Sequence, residues 1–201
     1  MTDRLPATPE GIARAAALLA DGAIVAFPTD TVYGVAVAAS RPDRLPALFE
    51  LKRRPLDRRI PILVADVAQL AGEWVVDERA HRLIERFWPG PLTLVLPSVD
   101  GVRTQAFRAP DHPVALALIQ AAGPLLATSA NVSDEPDTGS ADDVRIAFAT
   151  QQDELAAVVD GGSVPGGRSS TVLDLSVTPA AILREGPISR EQLAAEIELA
   201  G

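Results

Sequence analysis

Residues 23–39 read "AIVAFPTDTVYGVAVAA". The apolar runs "AIVAFP" and "TVYGVAVAA" have the β-branched and aromatic content of strands, and the break between them is made of Pro28, Thr29, Asp30 and Thr31. A strand-turn-strand unit needs only turn residues, for which Asn-Gly or Asp-Gly is the simplest choice. This break instead carries two hydroxyls and a carboxylate, more polar chemistry than a turn requires.

Upstream of it, Thr8, Pro9 and Glu10 take the N-cap, N1 and N2 positions of a helix that places Ile12, Ala16 and Leu19 on one face and stops at Gly22. Downstream, "RPDRLPALFELKR" (41–53) reads as a helix capped near Ser40, and "IPILVA" (60–65) as a short buried strand. Asp77 caps a helix that runs to Phe87 with Leu83, Ile84 and Phe87 inward. "PLTLVLP" and "QAFRAP" read as strands, "HPVALALIQAAG" as a helix and "PLLATS" as a strand. Ser140 with Asp143 resembles a capping box that opens a short helix, "LAAVVD", "STVLDLS" and "AAILRE" are strands, and Ser189 with Gln192 caps a final helix. Helical crossovers early and adjacent strands late predict a mixed α/β fold. The expected form is a twisted sheet with parallel and antiparallel pairs, flanked by helices, in a single domain over 1–201.

With 201 residues and 47% hydrophobic content, the chain can bury a substantial core. The start "MTDRLPATPEG" is polar, and no apolar run approaches the roughly 20 residues of a membrane span. The lack of cysteine excludes disulfides and thiolate metal sites, so a cytoplasmic protein without membrane contact is expected. A net charge of -9 argues against a surface given over to nucleic acid, and any anion site must be local. The dense basic patch is "LKRRPLDRR", with five cations in nine positions, and Lys52 within it is the chain's one lysine beside 17 arginines. A single lysine in an arginine cluster suggests a local need for a compact ammonium, as phosphate sites often have.

Five polar clusters stand at strand ends: "PTDT", Arg108 with "APDHP", "TSANVS", Arg184 with Glu185, and "GGSVPGGRSST". Each alone is ordinary capping or turn chemistry, but sites in open α/β sheets form at strand ends, and the five together predict one shared pocket. Gly162 to Ser169 fits the spacing of a phosphate-binding P-loop with Arg168 in place of lysine. A P-loop must lead into a helix, whereas "STVLDLS" is a strand, so that reading is rejected. His81 and His112 lack partners at metal spacing, "G-x-S-x-G" is absent, and "FWPGPLT" taken alone is a rigid structural turn.

"PTDTVYG", "LKRRP", "FWPGPLTLVLP", "FRAPDHP", "ATSANVS", "RSSTVLDL" and "ILREGPIS" occur in the order and approximate spacing of the YrdC/Sua5 family, which the chain resembles from about Pro28 to Ile188. The resemblance implies a twisted mixed sheet with a concave basic cavity, in the short, single-domain form. It implies a threonylcarbamoyl-AMP synthase that joins L-threonine, bicarbonate and ATP to give threonylcarbamoyl-AMP and pyrophosphate. Other proteins then transfer the threonylcarbamoyl group to adenosine 37 of tRNA. By motif position, Lys52 and Arg54 are the catalytic residues, and Lys52, Arg54, Arg58, Asn131 and Arg184 contact ATP. Thr31, Tyr33, Arg108, His112, Ser129 and Ser170 contact threonine or bicarbonate, with Ser129 also near the nucleotide. Magnesium accompanies ATP, held mainly by phosphates and water, with no metal bound by the protein itself. Three positions depart from the family pattern: Asp134 replaces a usual glycine, Arg59 a usual proline, and Leu63 a histidine that some members carry. The rival readings are an RNA-binding module without synthase activity and a carbamoyl-transfer domain, the latter disfavoured because its relatives carry cysteine-rich segments.

Overall fold

The computed structural model describes residues 2–53, 59–70, 72–133, 135–151, 154–166 and 168–201. In β2 (Ile24–Pro28) and β3 (Tyr33–Ala38), successive side chains point to opposite faces, and every residue of both strands is buried. The pair is antiparallel with Val25 opposite Ala36 and Phe27 opposite Gly34, and both its faces are covered. The remaining strands are β1 (Asp3–Pro6), β4 (Ile62–Leu63), β5 (Leu92–Pro97), β6 (Thr104–Arg108), β7 (Leu125–Ser129), β8 (Leu155–Asp160), β9 (Thr171–Asp174) and β10 (Ala181–Arg184). Among the described residues they form one sheet in the order β1-β8-β2-β3-β7-β4-β6-β5-β9-β10. The β1/β8, β2/β8, β4/β6 and β5/β9 pairs are parallel and the others antiparallel, which is the mixed sheet expected from the sequence.

The helices are α1 (Pro9–Ala20), α2 (Leu45–Leu51), α3 (Glu78–Phe87), α4 (Pro113–Ala122), α5 (Ala141–Ala147) and α6 (Arg190–Ala194). On one face, α2 and α5 pack Leu48, Phe49 and Val144 against Tyr33, Val35, Val37 and Val158. Farther along that face, α3 and α6 pack Leu83 and Leu193 against Leu94, Phe107 and Leu173, and Ile62 touches both clusters. On the opposite face, α1 and α4 pack Leu19, Leu118 and Ile119 against Phe27, Ala36, Leu125 and Leu63. That cover extends only to β4. Beyond it, Thr93, Val95, Ala106, Val172 and Asp174 line an open groove of about 260 Å³ with Arg59 and Leu183.

Three local readings are corrected by the structure. β1, read as polar N-terminal chain, is an edge strand held by parallel pairing with β8 and by Arg4, which donates to Asp160 Oδ2 at 2.6 and 2.9 Å and to Asp142 at 3.0 Å. Its side chains are mostly exposed, so it leaves no hydrophobic pattern. The packing is close: a Cβ on Gly11 would lie 1.9 Å from the Pro6 carbonyl oxygen. Ser40 caps nothing, because Pro42–Arg44 form a 3-10 turn and α2 starts at Leu45 without a side-chain cap. At α5, Ser140 accepts from Asp143 N, but the Asp143 carboxylate turns outward to Gly139 N at 3.1 Å, so only half of the capping box forms. The Ser189/Gln192 box is complete.

Candidate functional site

The "PTDT" break is a turn closed by its own hydroxyls. Thr29 Oγ1 accepts from Thr31 N at 3.2 Å and Val32 N at 3.3 Å and donates to Val32 O at 2.6 Å. Its proton is therefore committed, and it has none to give to Thr31 Oγ1, 3.1 Å away. That leaves Thr31 Oγ1 free to accept from Arg108 Nη1 at 3.2 Å, while Asp30 pairs with Arg108 Nη2. Arg108 Nε donates to Gly90 O at 3.0 Å, and Gly90 N donates to Ala109 O at 2.8 Å, which fixes the "WPGP" turn beside the end of β6. One guanidinium thus ties together the first turn, β6 and the proline-glycine turn.

A cavity of about 190 Å³ opens here, where the helix-covered half of the sheet face meets the open half. Its wall takes Thr29 and Thr31 from the first cluster, Arg108 from the second, Thr128 and Ser129 from the third, Arg184 from the fourth and Ser169 and Ser170 from the fifth. All five predicted clusters therefore meet. Val32, Gly34, Pro61, Leu63 and Ala127 supply the apolar part, and Thr93 reaches in from β5 with its hydroxyl 2.8 Å from Ser170 Oγ. Arg184 holds Ser170 through its carbonyl at 2.8 and 3.0 Å and its hydroxyl at 3.1 Å. Burial lowers the pKa of Arg108, Asp30 opposes this, and Arg184 lowers it further. Arg108, paired with Asp30, and Arg184, which holds Ser170, bring two guanidiniums to one cavity, a setting that suits an anion.

The other sequence-predicted residues are placed as follows. Lys52 is buried at the C-cap of α2, and its ammonium donates to Ser129 O, to Asn131 O at 2.7 Å and to Asn131 Oδ1 at 3.2 Å. It stands beneath the "TSAN" turn and does not line the cavity. Asn131 is braced further by Ser129 Oγ at 2.6 Å and by its own donation to Glu135 O at 2.6 Å. Tyr33 is the first residue of β3, and alternation along that strand sends its ring to the face opposite Gly34, where its hydroxyl donates to Gly162 O at 2.7 Å. Burial raises its phenol's pKa. Arg54, Arg58 and Asp134 lie outside the described residues. Arg59 donates to Thr104 Oγ1 in the open groove.

His112 is the N-cap of α4, its Nδ1 accepting the Val114 N–H at 3.2 Å, and it is half-buried. Burial lowers its pKa from the ordinary 6.5, against the pull of Asp30 and Asp111. The unfolded chain then binds the proton more readily than the folded one. The stability contributed by neutral His112 is therefore complete above pH 6.5 and lost as the pH falls through the folded-state value. Thermal unfolding between about pH 8 and about pH 5 is expected to show less acid-side decline in His112→Asn, which keeps a cap acceptor without titrating. Equal slopes in the two proteins would remove His112 as the cause.

Reasoning from sequence passed over Thr93 and Gly34. The signal for Thr93 was present, since it is the polar residue in the alternating strand "LTLVLP" and faces away from Leu92 and Leu94. Gly34 carried no such signal.

Comparison with known proteins gives a consistent result. Residues 17–186 match the Sua5_yciO_yrdC family model, described as "Telomere recombination". The chain is 41% identical over 209 residues to the threonylcarbamoyl-AMP synthase of Bacillus subtilis, covering 98% of this chain and 59% of that protein. It is 34% identical over 193 residues to a putative threonylcarbamoyl-AMP synthase of Mycobacterium tuberculosis, covering 92% of this chain and 88% of that protein. The crystal structure of Pyrococcus abyssi Sua5 complexed with L-threonine superposes with a TM-score of 0.88 at 35% identity, over 100% of this chain and 62% of that one. The chain thus spans about three fifths of the Bacillus protein and of the Pyrococcus structure.

Proposed function

The chain belongs to the Sua5/YciO/YrdC family, and from that premise we propose that it is a threonylcarbamoyl-AMP synthase. The observation that carries this reading is the meeting of five strand-end segments on a hydroxyl-lined cavity whose wall also carries the guanidiniums of Arg108 and Arg184. The substrates are L-threonine, bicarbonate and ATP. The threonine amine adds to bicarbonate with loss of water to give a carbamate, whose oxygen attacks the α-phosphorus of ATP as pyrophosphate leaves. A carbamate is already anionic, so the adenylation step needs no strong base from the protein. Its demands are alignment and neutralisation of charge.

In this reading Arg108 and Arg184 face the anionic groups, and Thr31, Ser129 and Ser170 orient threonine and its carbamate. Lys52 acts through the Ser129–Asn131 turn, and Arg54 and Arg58 of the same motif take the phosphates. Magnesium enters with ATP, carried by phosphate oxygens and water. Among the described residues no group of three or more His, Asp or Glu stands ready to hold a metal, and no helix is long and apolar enough to cross a membrane. The product feeds threonylcarbamoyl transfer to tRNA.

The test is incubation with ATP, magnesium, bicarbonate and L-threonine, scoring pyrophosphate and the mass of the adenylate. Product that requires both threonine and bicarbonate is the expected outcome. Folded protein that binds tRNA in a salt-dependent way but makes no adenylate would replace this reading with the RNA-binding one.

A further inference from the structure

Gly34 is a glycine that the protein's own backbone does not explain. It is not among the glycines with positive φ, so no left-handed conformation calls for it. It lies within β3, where glycine is less favourable than alanine. A Cβ built on it would lie 3.6 Å from Phe27 Cζ, 3.6 Å from Thr128 O and 3.7 Å from Thr29 Cγ2, all ordinary van der Waals distances. The fold has room for alanine, and the room is part of the cavity.

The chemistry of that room is specific. Two of the three atoms nearest to the virtual methyl are carbons, and Val32, Leu63 and Ala127 line the same cavity. Ser129, paired directly with Gly34 across β3 and β7, joins Thr31 and the guanidiniums of Arg108 and Arg184 as the polar part of the same lining. A ligand with several polar groups and a single methyl would direct the polar groups there and the methyl toward Gly34.

We propose that Gly34 is a specificity-determining residue whose missing side chain leaves a niche for the β-methyl of the amino-acid substrate. The proposal rests on the reading of that substrate as L-threonine. L-Serine is threonine without that methyl. A methyl in an apolar niche is worth roughly 10-fold or more in discrimination, so filling the niche from the protein side exchanges one methyl for another.

The experiment compares Gly34→Ala with the wild type in two ways: kcat/KM for adenylate formation with L-threonine and with L-serine, and binding of each amino acid by calorimetry. The threonine-to-serine ratio is expected to fall by about 10-fold or more, through loss with threonine while serine is retained, and Tm is expected to stay level or rise. An unchanged ratio overturns the proposal, and so does an unfolded variant, since a niche beside Gly34 must admit the alanine methyl. A wild type that binds threonine but makes no adenylate counts against the synthase reading alone, and the binding ratio still decides the role of Gly34. A wild type that binds neither amino acid overturns the substrate assignment itself.

Discussion

Arg108→Met is expected to lose about 3–5 kcal/mol of stability and all measurable product formation. The Arg108 side chain is 9% exposed and that of Asp30 13%, so removing the guanidinium leaves a nearly buried carboxylate unpaired. Gly90 O and Thr31 Oγ1 lose their donor at the same time. The stability term and the activity term are separable. Arg108→Met combined with Asp30→Asn removes the stranded charge and is expected to recover most of the stability while remaining inactive. Arg108→Lys keeps the charge, but a single ammonium cannot span Asp30, Thr31 and Gly90 as the planar fork does, and an activity loss of about 100-fold is expected. Urea unfolding and the adenylate assay read the two terms. Wild-type stability in Arg108→Met would show that Asp30 does not depend on it, and wild-type turnover would remove Arg108 from the reaction.

Gly186→Ala is expected to cost about 2–4 kcal/mol and to reduce activity at least about 100-fold, although residue 186 is not a lining residue of the cavity. Its Cβ would lie 2.2 Å from Thr171 N, 2.5 Å from Ser169 O and 2.6 Å from Ser170 C. These are backbone atoms and have little freedom to yield. Thr171 N is bonded to Pro91 O at 2.9 Å, and Thr171 Oγ1 accepts from Ile188 N at 3.0 Å and donates to Ile188 O at 2.8 Å. Relief therefore displaces the segment that brings Ser169 and Ser170 to the cavity and opens the Arg184 clamp. Ser170→Ala, which removes one hydroxyl without moving the backbone, separates the two effects. If Gly186→Ala behaved no worse than Ser170→Ala in stability and turnover, the steric account would fail.

The parts of this molecule that were readable from its sequence share a cause. Core strands such as β2 and β3 announce themselves as continuous apolar runs, because both their faces are covered, and caps by Ser, Thr or Asp at fixed offsets, as at Thr8, Asp77 and Ser189. The meeting of the five polar clusters was readable because strand ends converge. What escaped depends on partners distant in sequence. The β1 strand is defined by its pairing with β8 and by the bonds that Arg4 makes to Asp142 and Asp160, not by an apolar pattern of its own. Tyr33 shares a motif with Thr31, yet Thr31 belongs to the turn, and the strand that starts at Tyr33 puts its ring on the opposite side of the sheet from Gly34 and the cavity. Lys52, at the end of α2, likewise meets Ser129 and Asn131, which lie 77 and 79 residues away in sequence.

The order of the sheet has a kinetic corollary. Gly34 meets Ser129 by strand pairing, Leu92 meets Thr171, and Arg184 reaches Ser170 only once β9 is in place. No local stretch of the chain contains the site, and closing such distant pairings is the slow, entropically costly part of folding. The cavity is therefore expected to form late in folding. A ligand bound there clamps the central and outer strands together, and so protects the whole sheet against unfolding in proportion to the logarithm of its concentration.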